Sequence, residues 1–542
     1  MSLGIGLSAT VAGVLWFSRI ARIGFLSDDL VQLSELAADQ APPAWEWFGR
    51  EYYGFYRPLT ALAWRLQYLV WGMNPVGYRL VNLLIHGICA AGVLALGRRL
   101  GLDRRAAFLA SLVFLLDPGP VSAVLSIAGM TGLLSAALYL GAVVAHLRTR
   151  EGHPESRGVS LVLFALALLT KETALSLPLA VFAIHWMVLD RRWRVALQAS
   201  APYLAVLLAY LGLRWFLFGH LAPAGLAQRS VDPIILTTNL VLYAATPVLP
   251  WGWGPLKPFF RGSPVLLEAV AALILAALAV TIVRLWRHRC RTPLFLGAWV
   301  ALTAGPVLGF YSPWNAYLPA AGVALLLGGA FTGGPGRGDA LGSHQVEAPS
   351  WAMARRAGAA GWLVLAVAFQ VLHAGEWVEA SALRDRVLAE ATRAAEEEPG
   401  PWCLAGVPGE YRDVPVFGGA WGMTAALELA RVERLPVVLP AVHLSDRRSG
   451  VTARVDGDGR IYLATRRDGD FFRLDPVAVL ARDVAPRAGY SYATGAFSVR
   501  VTAANTQGQP SALEVMLADG NPAPRVLAWD DTGLVTAEVR DW

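Results

Sequence analysis

The chain has 542 residues, of which 55% are hydrophobic and only 16% are charged, and its formal net charge is +6. Soluble globular proteins carry about 25% charged residues, so this composition excludes an ordinary soluble protein. The arginines cluster between long apolar segments, which indicates membrane topology rather than a nucleic-acid-binding surface, and we expect no nucleic-acid partner.

Apolar segments long enough to cross a bilayer core of about 30 Å recur along the first 375 residues. Eleven predicted spans lie near residues 3–25, 75–97, 105–120, 124–146, 158–175, 176–190, 196–218, 264–284, 292–311, 315–333 and 357–375. The sequence therefore predicts an α-helical polytopic membrane protein with about 11 transmembrane helices. The predicted transmembrane domain covers residues 1–376.

Arginine-rich loops predict the orientation of these spans. Three or four arginines lie in each of the connections at 98–105, 148–157, 191–194, 284–291 and 337–356. Loops of this kind face the cytoplasm. We therefore expect a multi-pass protein of a bacterial inner membrane, with a cytoplasmic N-terminus and the C-terminal domain outside.

Two further segments have apolar character without being counted as spans. Residues 57–72 are amphipathic and rich in Trp and Tyr, which predicts a helix in the membrane interface. Residues 239–260 contain four prolines, which favours a re-entrant or interfacial element.

The last part of the chain, residues 377–542, is predicted to be a water-soluble extracytoplasmic domain. A charged helix near 376–397 is followed by short alternating runs, which are "RIYLAT", "AFSVRVTA", "ALEVMLA" and "PRVLAWD". Such runs between turn-forming residues predict strands. We expect an α+β or β-rich fold.

Ionisable residues at the predicted outer ends of the spans provide the functional hypothesis. They are Asp28, Asp29, Arg57, Arg79, Asp117, Lys171 and Glu172, with Arg229, Lys257 and Arg261 as further candidates. Charges at membrane depth are rare, and several on one side indicate a shared polar site. The alternatives are an N-cap role for the acid pair, interfacial anchoring for Arg79, and a structural ion pair for Lys171 and Glu172.

The predicted span at 75–97 has a polar face. Arg79, Asn82 and His86 are three and four residues apart, so they share one side of a helix. The sequence leaves open whether Asn82 and His86 form interhelical hydrogen bonds or lie near a substrate.

The adjacent carboxylates Asp28 and Asp29 in "GFLSDDLVQL" suit a general base that deprotonates an acceptor hydroxyl, while a cation holds an anionic leaving group. The chain contains no Walker loop, no G-x-S-x-G motif and no metal-spaced Cys/His cluster. Nucleotide hydrolysis and serine-type acyl transfer therefore have no support, and no metal site is predicted.

Several motifs in the first 330 residues resemble the GT-C membrane glycosyltransferases, and among them the protein O-mannosyltransferase relatives that carry a tetratricopeptide tail. The matching segments are "SDDL", "YRPLTALAWRLQYLVWGMNPVGYRLVNLLIHG", "LLDPGPVSAVLSIAG", "LLTKETALSLP" and "AYLPAAG". The resemblance implies transfer of a sugar from a polyprenyl-phosphate carrier to an extracytoplasmic hydroxyl of a protein or glycan, by an inverting displacement.

The resemblance also implies roles for single residues. Asp28 or Asp29 would be the general base. Arg57, at the family's R-P-L position, and Lys171 with Glu172, at its K-E position, would lie near the lipid phosphate; the resemblance leaves a divalent metal open.

Some family motifs are replaced in this chain. Asp117 and the three residues after it stand where relatives have H-P-x-H, and Pro313 and Trp314 stand where relatives have an acid-arginine pair. The tetratricopeptide tail is absent from residues 377–542.

Two other functional classes remain open from the sequence. The charges would line a lipid or ion path in a non-catalytic or transport-related protein of the same fold. Alternatively, the C-terminal domain would be the functional part and the helices its anchor.

Overall fold

In the computed structural model, the described residues up to 397 are mainly helical, and short strands follow in the C-terminal part of the chain. The structure describes residues 18–37, 42–43, 45–51, 55–221, 233–250, 264–287, 290–309, 311–333, 349–397, 402–412, 414–418, 420–432, 435–438, 442–444, 451–455, 460–465, 470–471, 491–493, 497–504, 510–517, 525–529, 534–536 and 538–539.

The chain divides into two compact units. One, the helical unit, comprises the described residues within Pro42–Leu372. The other, the C-terminal unit, comprises those within Val14–Ala41 and His373–Trp542. Asp28 and Asp29 therefore belong to the same unit as the end of the chain.

The described helices number fifteen. They are α1 (Asp28–Ala37), α2 (Pro58–Trp71), α3 (Pro75–Arg99), α4 (Arg104–Leu116), α5 (Pro118–Leu125), α6 (Met130–Arg148), α7 (Ser156–Leu168), α8 (Leu177–Ala183), α9 (Trp193–Phe218), α10 (Pro233–Ala245), α11 (Pro264–Arg287), α12 (Arg291–Ala304), α13 (Tyr317–Thr332), α14 (Pro349–Glu397) and α15 (Ala420–Leu429). A 3₁₀ helix at Glu172–Ser176 precedes α8, and a π-helix at Ile184–Leu189 follows it.

The membrane-spanning character of the chain is confirmed, but the number of eleven spans is not. Among the described residues, six helical stretches are long and apolar enough to cross a bilayer, and they are Pro75–Arg99, Met130–Glu151, Glu172–Leu189, Trp193–Phe218, Pro313–Thr332 and Ser350–Glu397. Helices α4, α7 and α12 match predicted spans but have only 13, 13 and 14 residues. The first predicted span lies mostly outside the described residues, as do Arg229, Lys257 and Arg261.

The sequence explains where several helices begin. Asn74 accepts a hydrogen bond from the Val76 N–H at 3.1 Å, and Pro75 occupies the first turn of α3. Asp103 accepts from the Ala106 N–H at 2.8 Å in the same way. The predicted interfacial segment 57–72 is a helix, α2.

Small residues set the close packing of α13 against its neighbours. A Cβ added to Gly328 would lie 2.5 Å from the Ala106 carbonyl oxygen and 2.7 Å from the Ala110 Cβ. A Cβ at Gly97 would lie 2.7 Å from the Leu325 Cδ2. Close approach of this kind through small residues is the usual means of joining membrane helices.

A buried polar network joins helices at the C-terminal end of α6. His146 Nε2 lies 2.9 Å from His185 Nε2, and its Nδ1 lies 2.9 Å from the Tyr203 hydroxyl. His185, in the π-helix, contacts the Asp190 carboxylate through Nδ1. Tyr203 lies 2.6 Å from Ser160 Oγ, which is 2.6 Å from the Ala142 carbonyl oxygen.

One long helix contains both the last predicted span and the predicted charged helix. The sequence predicts a span at 357–375 and a charged helix near 376–397, and α14 covers both continuously over 49 residues. The composition changes at Gly375, and the helix continues through this glycine without ending. Residues of α14 from His373 onward belong to the C-terminal unit.

The strands of the C-terminal unit confirm a sheet-containing domain. They are β1 (Trp402–Ala405), β2 (Pro408–Tyr411), β3 (Val414–Pro415), β4 (Val437–Val438), β5 (Val442–Leu444), β6 (Val451–Val455), β7 (Ile461–Thr465), β8 (Asp470–Phe471), β9 (Ser491–Ala493), β10 (Phe497–Ala504), β11 (Pro510–Leu517), β12 (Arg525–Trp529), β13 (Leu534–Thr536) and β14 (Glu538–Val539). All four strand runs predicted from the sequence are strands, β7, β10, β11 and β12.

Within the described residues these strands form three sheets, with the orders β13-β12-β1-β4, β14-β6-β7-β11-β10-β9 and β3-β2-β5-β8. The six-stranded sheet pairs β10 with β11 in antiparallel register, with Val499 opposite Val515. β1 is parallel to both β12 and β4. Helix α15, which the sequence did not predict, packs against α1.

The contact between α13 and α4 predicts a large effect for one glycine. Gly328→Leu should lower the free energy of unfolding by about 1–3 kcal/mol or more, because overpacking forces neighbours apart. Gly297→Leu on α12 is the matched control, since a Cβ there meets nothing within 4 Å. Thermal unfolding of both variants in detergent measures the difference, and equal melting temperatures would contradict the proposed packing role.

Candidate active site

The candidate site in the helical unit lies where α7 ends and the 3₁₀ helix at Glu172–Ser176 begins. Leu59 at the start of α2 donates its N–H to the Leu169 carbonyl at 3.1 Å, and the Thr60 hydroxyl donates to the Thr170 carbonyl at 3.0 Å. Lys171 then has extended backbone geometry, with φ −159° and ψ 147°. The break thus fixes Lys171 and Glu172 beside the start of α2.

Arg57 and Glu172 form a bidentate ion pair at this junction. Arg57 Nη2 donates to Glu172 Oε2 at 2.7 Å, and Nε lies 3.2 Å from both carboxylate oxygens. The Glu172 side chain is 7% exposed and that of Arg57 is 22% exposed. The Arg57 guanidinium also lies 4.1 Å from the centre of the Phe55 ring, a cation–π contact.

Lys171 is directed toward the 3₁₀ helix at Pro313–Ala316, which precedes α13. Its Nζ donates to Asn315 Oδ1 at 3.0 Å. A Cβ added to Gly132 would lie 3.6 Å from that nitrogen. Lys171 is half-buried and lies between residues of α6 and of the segment before α13.

A second buried cation, Arg214 on α9, was missed by the sequence reasoning. Its Nη2 donates to Glu51 Oε1 at 2.7 Å, and the residue is 1% exposed. Its Nε and the Tyr210 hydroxyl are buried without a hydrogen-bond partner among the described residues. An arginine within the apolar run "YLGLRWFLF" is the signal that could have identified it.

Tyr56 precedes Arg57 in the chain and packs against aromatic residues of α9, the helix that contains Arg214. Its ring lies 6.2 Å from that of Tyr210 and 5.2 Å from that of Phe218. Burial raises the pKa of the Tyr56 phenol above its ordinary value, while the positive charge of Arg214 opposes that rise. The phenol is therefore neutral and its hydroxyl donates to the Phe48 carbonyl at 3.1 Å.

The polar face of α3 contacts backbone carbonyls between residues 115 and 127. Arg79 Nε donates to the Leu125 carbonyl at 2.9 Å, and Asn82 Nδ2 donates to the Ser126 carbonyl at 3.0 Å. His86 contacts the Tyr317 hydroxyl through Nδ1 and lies 3.1 Å from the Leu115 carbonyl through Nε2. The contacts of Asn82 and His86 are of the kind expected for interhelical hydrogen bonds. A contact of Arg79, Asn82 or His86 with substrate stays a prediction.

Asp117 separates α4 from α5. It is fully buried, and its Oδ1 accepts from the Gly119 N–H at 2.9 Å, while Oδ2 has no hydrogen-bond partner among the described residues. Trp314, one of the residues replacing a family motif, donates its Nε1–H to the Ser122 carbonyl at 3.3 Å. Asp117 and Trp314, which stand at two of the substituted motif positions, therefore both lie beside α5.

The acid pair belongs to the C-terminal unit, at the start of α1. Asp28 is exposed, whereas Asp29 is fully buried and its Oδ2 accepts from the Leu26 N–H at 3.2 Å. Acidic residues in the first helical turn also interact favourably with the helix dipole. The two adjacent carboxylates are therefore in different environments.

Among the residues that the structure describes, no group of three His, Cys, Asp or Glu side chains is arranged to hold a metal ion.

Residues 57–216 match the family of dolichyl-phosphate-mannose-protein mannosyltransferases. This segment resembles the protein O-mannosyltransferases. It contains every cation of the site, namely Arg57, Arg79, Lys171 and Arg214, but neither Asp28 nor Asp29.

Curated relatives agree with this family match over a short region. Protein O-mannosyl-transferase Tmtc1 of Drosophila melanogaster is 34% identical over 125 residues, which is 23% of this chain and 15% of the relative. Human protein O-mannosyl-transferase TMTC3 is 32% identical over 127 residues, 22% of this chain and 14% of the relative. The chain thus spans about a seventh of the length of these relatives.

Among solved structures, ArnT from Cupriavidus metallidurans bound to undecaprenyl phosphate superposes with a TM-score of 0.45 at 15% sequence identity, over 82% of this chain and 93% of ArnT. Its apo state gives the same TM-score at 13% identity.

The ion pair at the helix junction predicts a stability effect. Glu172→Ala should lower the free energy of unfolding by about 3 kcal/mol, because it leaves the partly buried Arg57 cation without its carboxylate. The control is Glu151→Ala, which breaks the exposed pair of Glu151 with Arg99 and should cost about 1 kcal/mol or less. Reversible unfolding in detergent measures both, and a loss for Glu172→Ala no larger than that of the control would count against the pair.

Proposed function

We propose that this protein is a membrane glycosyltransferase that moves a sugar from a polyprenyl-phosphate donor to a hydroxyl of a protein or glycan outside the cytoplasm of a bacterial cell. The observation that carries the proposal is that the segment matching the family also contains the cations of the candidate site. Residues 57–216 resemble enzymes named for a lipid-phosphate-linked mannose, and within them Arg57 and Lys171 occupy one junction of helices.

The proposed reaction is a direct displacement with inversion at the sugar. The acceptor oxygen forms a bond to the anomeric carbon, and the bond from that carbon to the phosphate oxygen breaks with its electron pair. The acceptor proton passes to a carboxylate, and polyprenyl phosphate leaves as an anion. The chemistry needs a base for the proton and cations for the developing negative charge.

Lys171 is the proposed contact for the lipid phosphate. An ammonium is a compact donor that binds phosphate as a point charge. The amide oxygen of Asn315 orients this ammonium at 3.0 Å without carrying a formal charge of its own. Gly132 supports the assignment, since its lack of a side chain leaves space beside Nζ.

Arg57 and Arg214 are proposed to supply positive potential and to keep the shape of the site. Each is held by a carboxylate at 2.7 Å, Arg57 by Glu172 and Arg214 by Glu51. A guanidinium held in this way keeps further N–H groups in a fixed plane, which suits a phosphate oxygen. The Arg214 Nε and the Tyr210 hydroxyl add two buried polar groups.

Asp28 is favoured over Asp29 as the general base. Asp28 is exposed at the first turn of α1, where a carboxylate can reach a hydroxyl from solvent. The Asp29 carboxylate is buried and accepts the Leu26 N–H. We therefore propose that Asp29 stabilises the start of α1 and that Asp28 accepts the proton.

Substitution of the assigned base should slow transfer with little effect on folding. Asp28→Asn should lower kcat for sugar transfer about 100-fold or more, the size of effect that a general base usually has. The matched control is Asp103→Asn, which changes another aspartate at a helix start, and it should leave kcat unchanged. The assay uses purified protein in liposomes with a panel of radiolabelled polyprenyl-phosphate sugars and total membrane acceptors.

Lys171→Met should lower kcat about 100-fold and weaken donor binding, since a neutral side chain of similar length removes the phosphate contact. Transfer at wild-type rate in both Asp28→Asn and Lys171→Met would remove these assignments. Absence of transfer by the wild type with every donor would favour the non-catalytic or transport-related alternative.

A further inference from the structure

The backbone just before the acid pair, residues 24–29, is held by residues more than 350 positions later in the chain, all within the C-terminal unit. The Gly24 N–H donates to Ser381 Oγ on α14 at 2.7 Å. The Ser27 N–H donates to the Val416 carbonyl at 2.8 Å. We name residues 24–29 the acid-pair segment.

Ser27 has a backbone conformation that L-residues rarely adopt. Its φ is +48°, in the left-handed region. A residue held there is strained and keeps the conformation only where its surroundings impose it. Because α1 begins at the next residue, the Ser27 backbone sets the direction in which the Asp28 side chain leaves the helix start.

The surroundings that impose this conformation lie in the turn after β3, residues 416–418. Gly418 has a φ of +69°, and a Cβ added to it would overlap with Ser27 Oγ and lie 3.4 Å from Trp421. Glycine is therefore favoured there twice, by its backbone angle and by the close approach of Ser27.

The turn is itself fixed to the sheet and to α14. The N–H groups of Val416 and Gly418 both donate to the Gly409 carbonyl, at 2.9 and 3.0 Å. The Tyr411 hydroxyl in β2 donates to Glu379 Oε2 of α14 at 3.0 Å. Helix α15, which follows the turn, packs against α1.

We propose that the turn 416–418 is a positioning element for Asp28, with Gly418 and Ser27 as positioning residues. The turn holds Ser27 in its left-handed conformation and thereby fixes the direction of the Asp28 carboxylate. The proposal gives the C-terminal domain a role in the transfer step, and it rests on the function proposed above.

The test compares two glycines of the C-terminal unit that share one backbone angle. Gly406 also has a φ of +69°, and a Cβ there would lie 2.7 Å from Val451 Cγ2, away from the acid-pair segment. Gly418→Ala and Gly406→Ala should therefore impose similar strain on the same domain. Only Gly418→Ala should act on Ser27.

Two readouts are taken on the full-length protein in liposomes. Hydrogen exchange of peptides covering residues 24–29 should become at least tenfold faster in Gly418→Ala and stay at the wild-type rate in Gly406→Ala. The kcat for sugar transfer should fall about tenfold or more in Gly418→Ala with the donor KM unchanged, and should be unchanged per folded molecule in Gly406→Ala.

A rescue variant separates positioning from general loss of fold. Ser27→Gly removes the side chain that meets the new methyl group and adopts a positive φ without strain. The double variant Ser27→Gly with Gly418→Ala should regain slow exchange and most of the lost kcat.

Unchanged hydrogen exchange of residues 24–29 in Gly418→Ala would overturn the proposal. If Asp28→Asn abolishes transfer, then faster exchange in Gly418→Ala with an unaltered kcat would also overturn it. If Asp28→Asn retains full activity, the assignment of the base fails instead. The exchange rates then still decide whether the turn holds the segment.

Discussion

The cost of placing a charge among apolar helices governs the candidate site. An isolated ion loses its hydration there, so it persists only with a partner of opposite charge or with hydrogen bonds that replace water. Arg57 meets this condition through Glu172, Arg214 through Glu51, and Lys171 through the Asn315 amide. Each partner comes from a distant part of the chain, so the site and the packing of the helices depend on each other.

This constraint explains which parts of the molecule could be predicted from the sequence. Apolar length identifies helices such as α3, α6 and α9, because a bilayer-spanning helix needs about 20 such residues. Alternation identifies β7, β10, β11 and β12, because strand side chains point to opposite faces in turn. Both signals are local, and both were confirmed.

The contacts within the site could not be predicted in the same way. Lys171 and Asn315 are 144 residues apart, and Arg214 and Glu51 are 163 apart, so no periodicity connects them. The continuity of the last predicted span with the charged helix is not visible in the sequence either, since a helix can lose its apolar character while its backbone hydrogen bonds continue through residue 376. The position of the acid pair in the C-terminal unit also depends on long-range contacts, such as that of Ser27 with Val416.

The histidine network at the end of α6 has a consequence that follows from counting hydrogens. Five contacts in series connect Asp190, His185, His146, Tyr203, Ser160 and the Ala142 carbonyl, and both ends of the series only accept. Neutral imidazoles, a phenol and an alcohol bring one transferable hydrogen each, which leaves one contact empty. An imidazolium at His185 would fill all five contacts, donating from Nδ1 to the Asp190 carboxylate and from Nε2 to His146, with the remaining hydrogens directed toward the Ala142 carbonyl. One added proton therefore completes this series of hydrogen bonds.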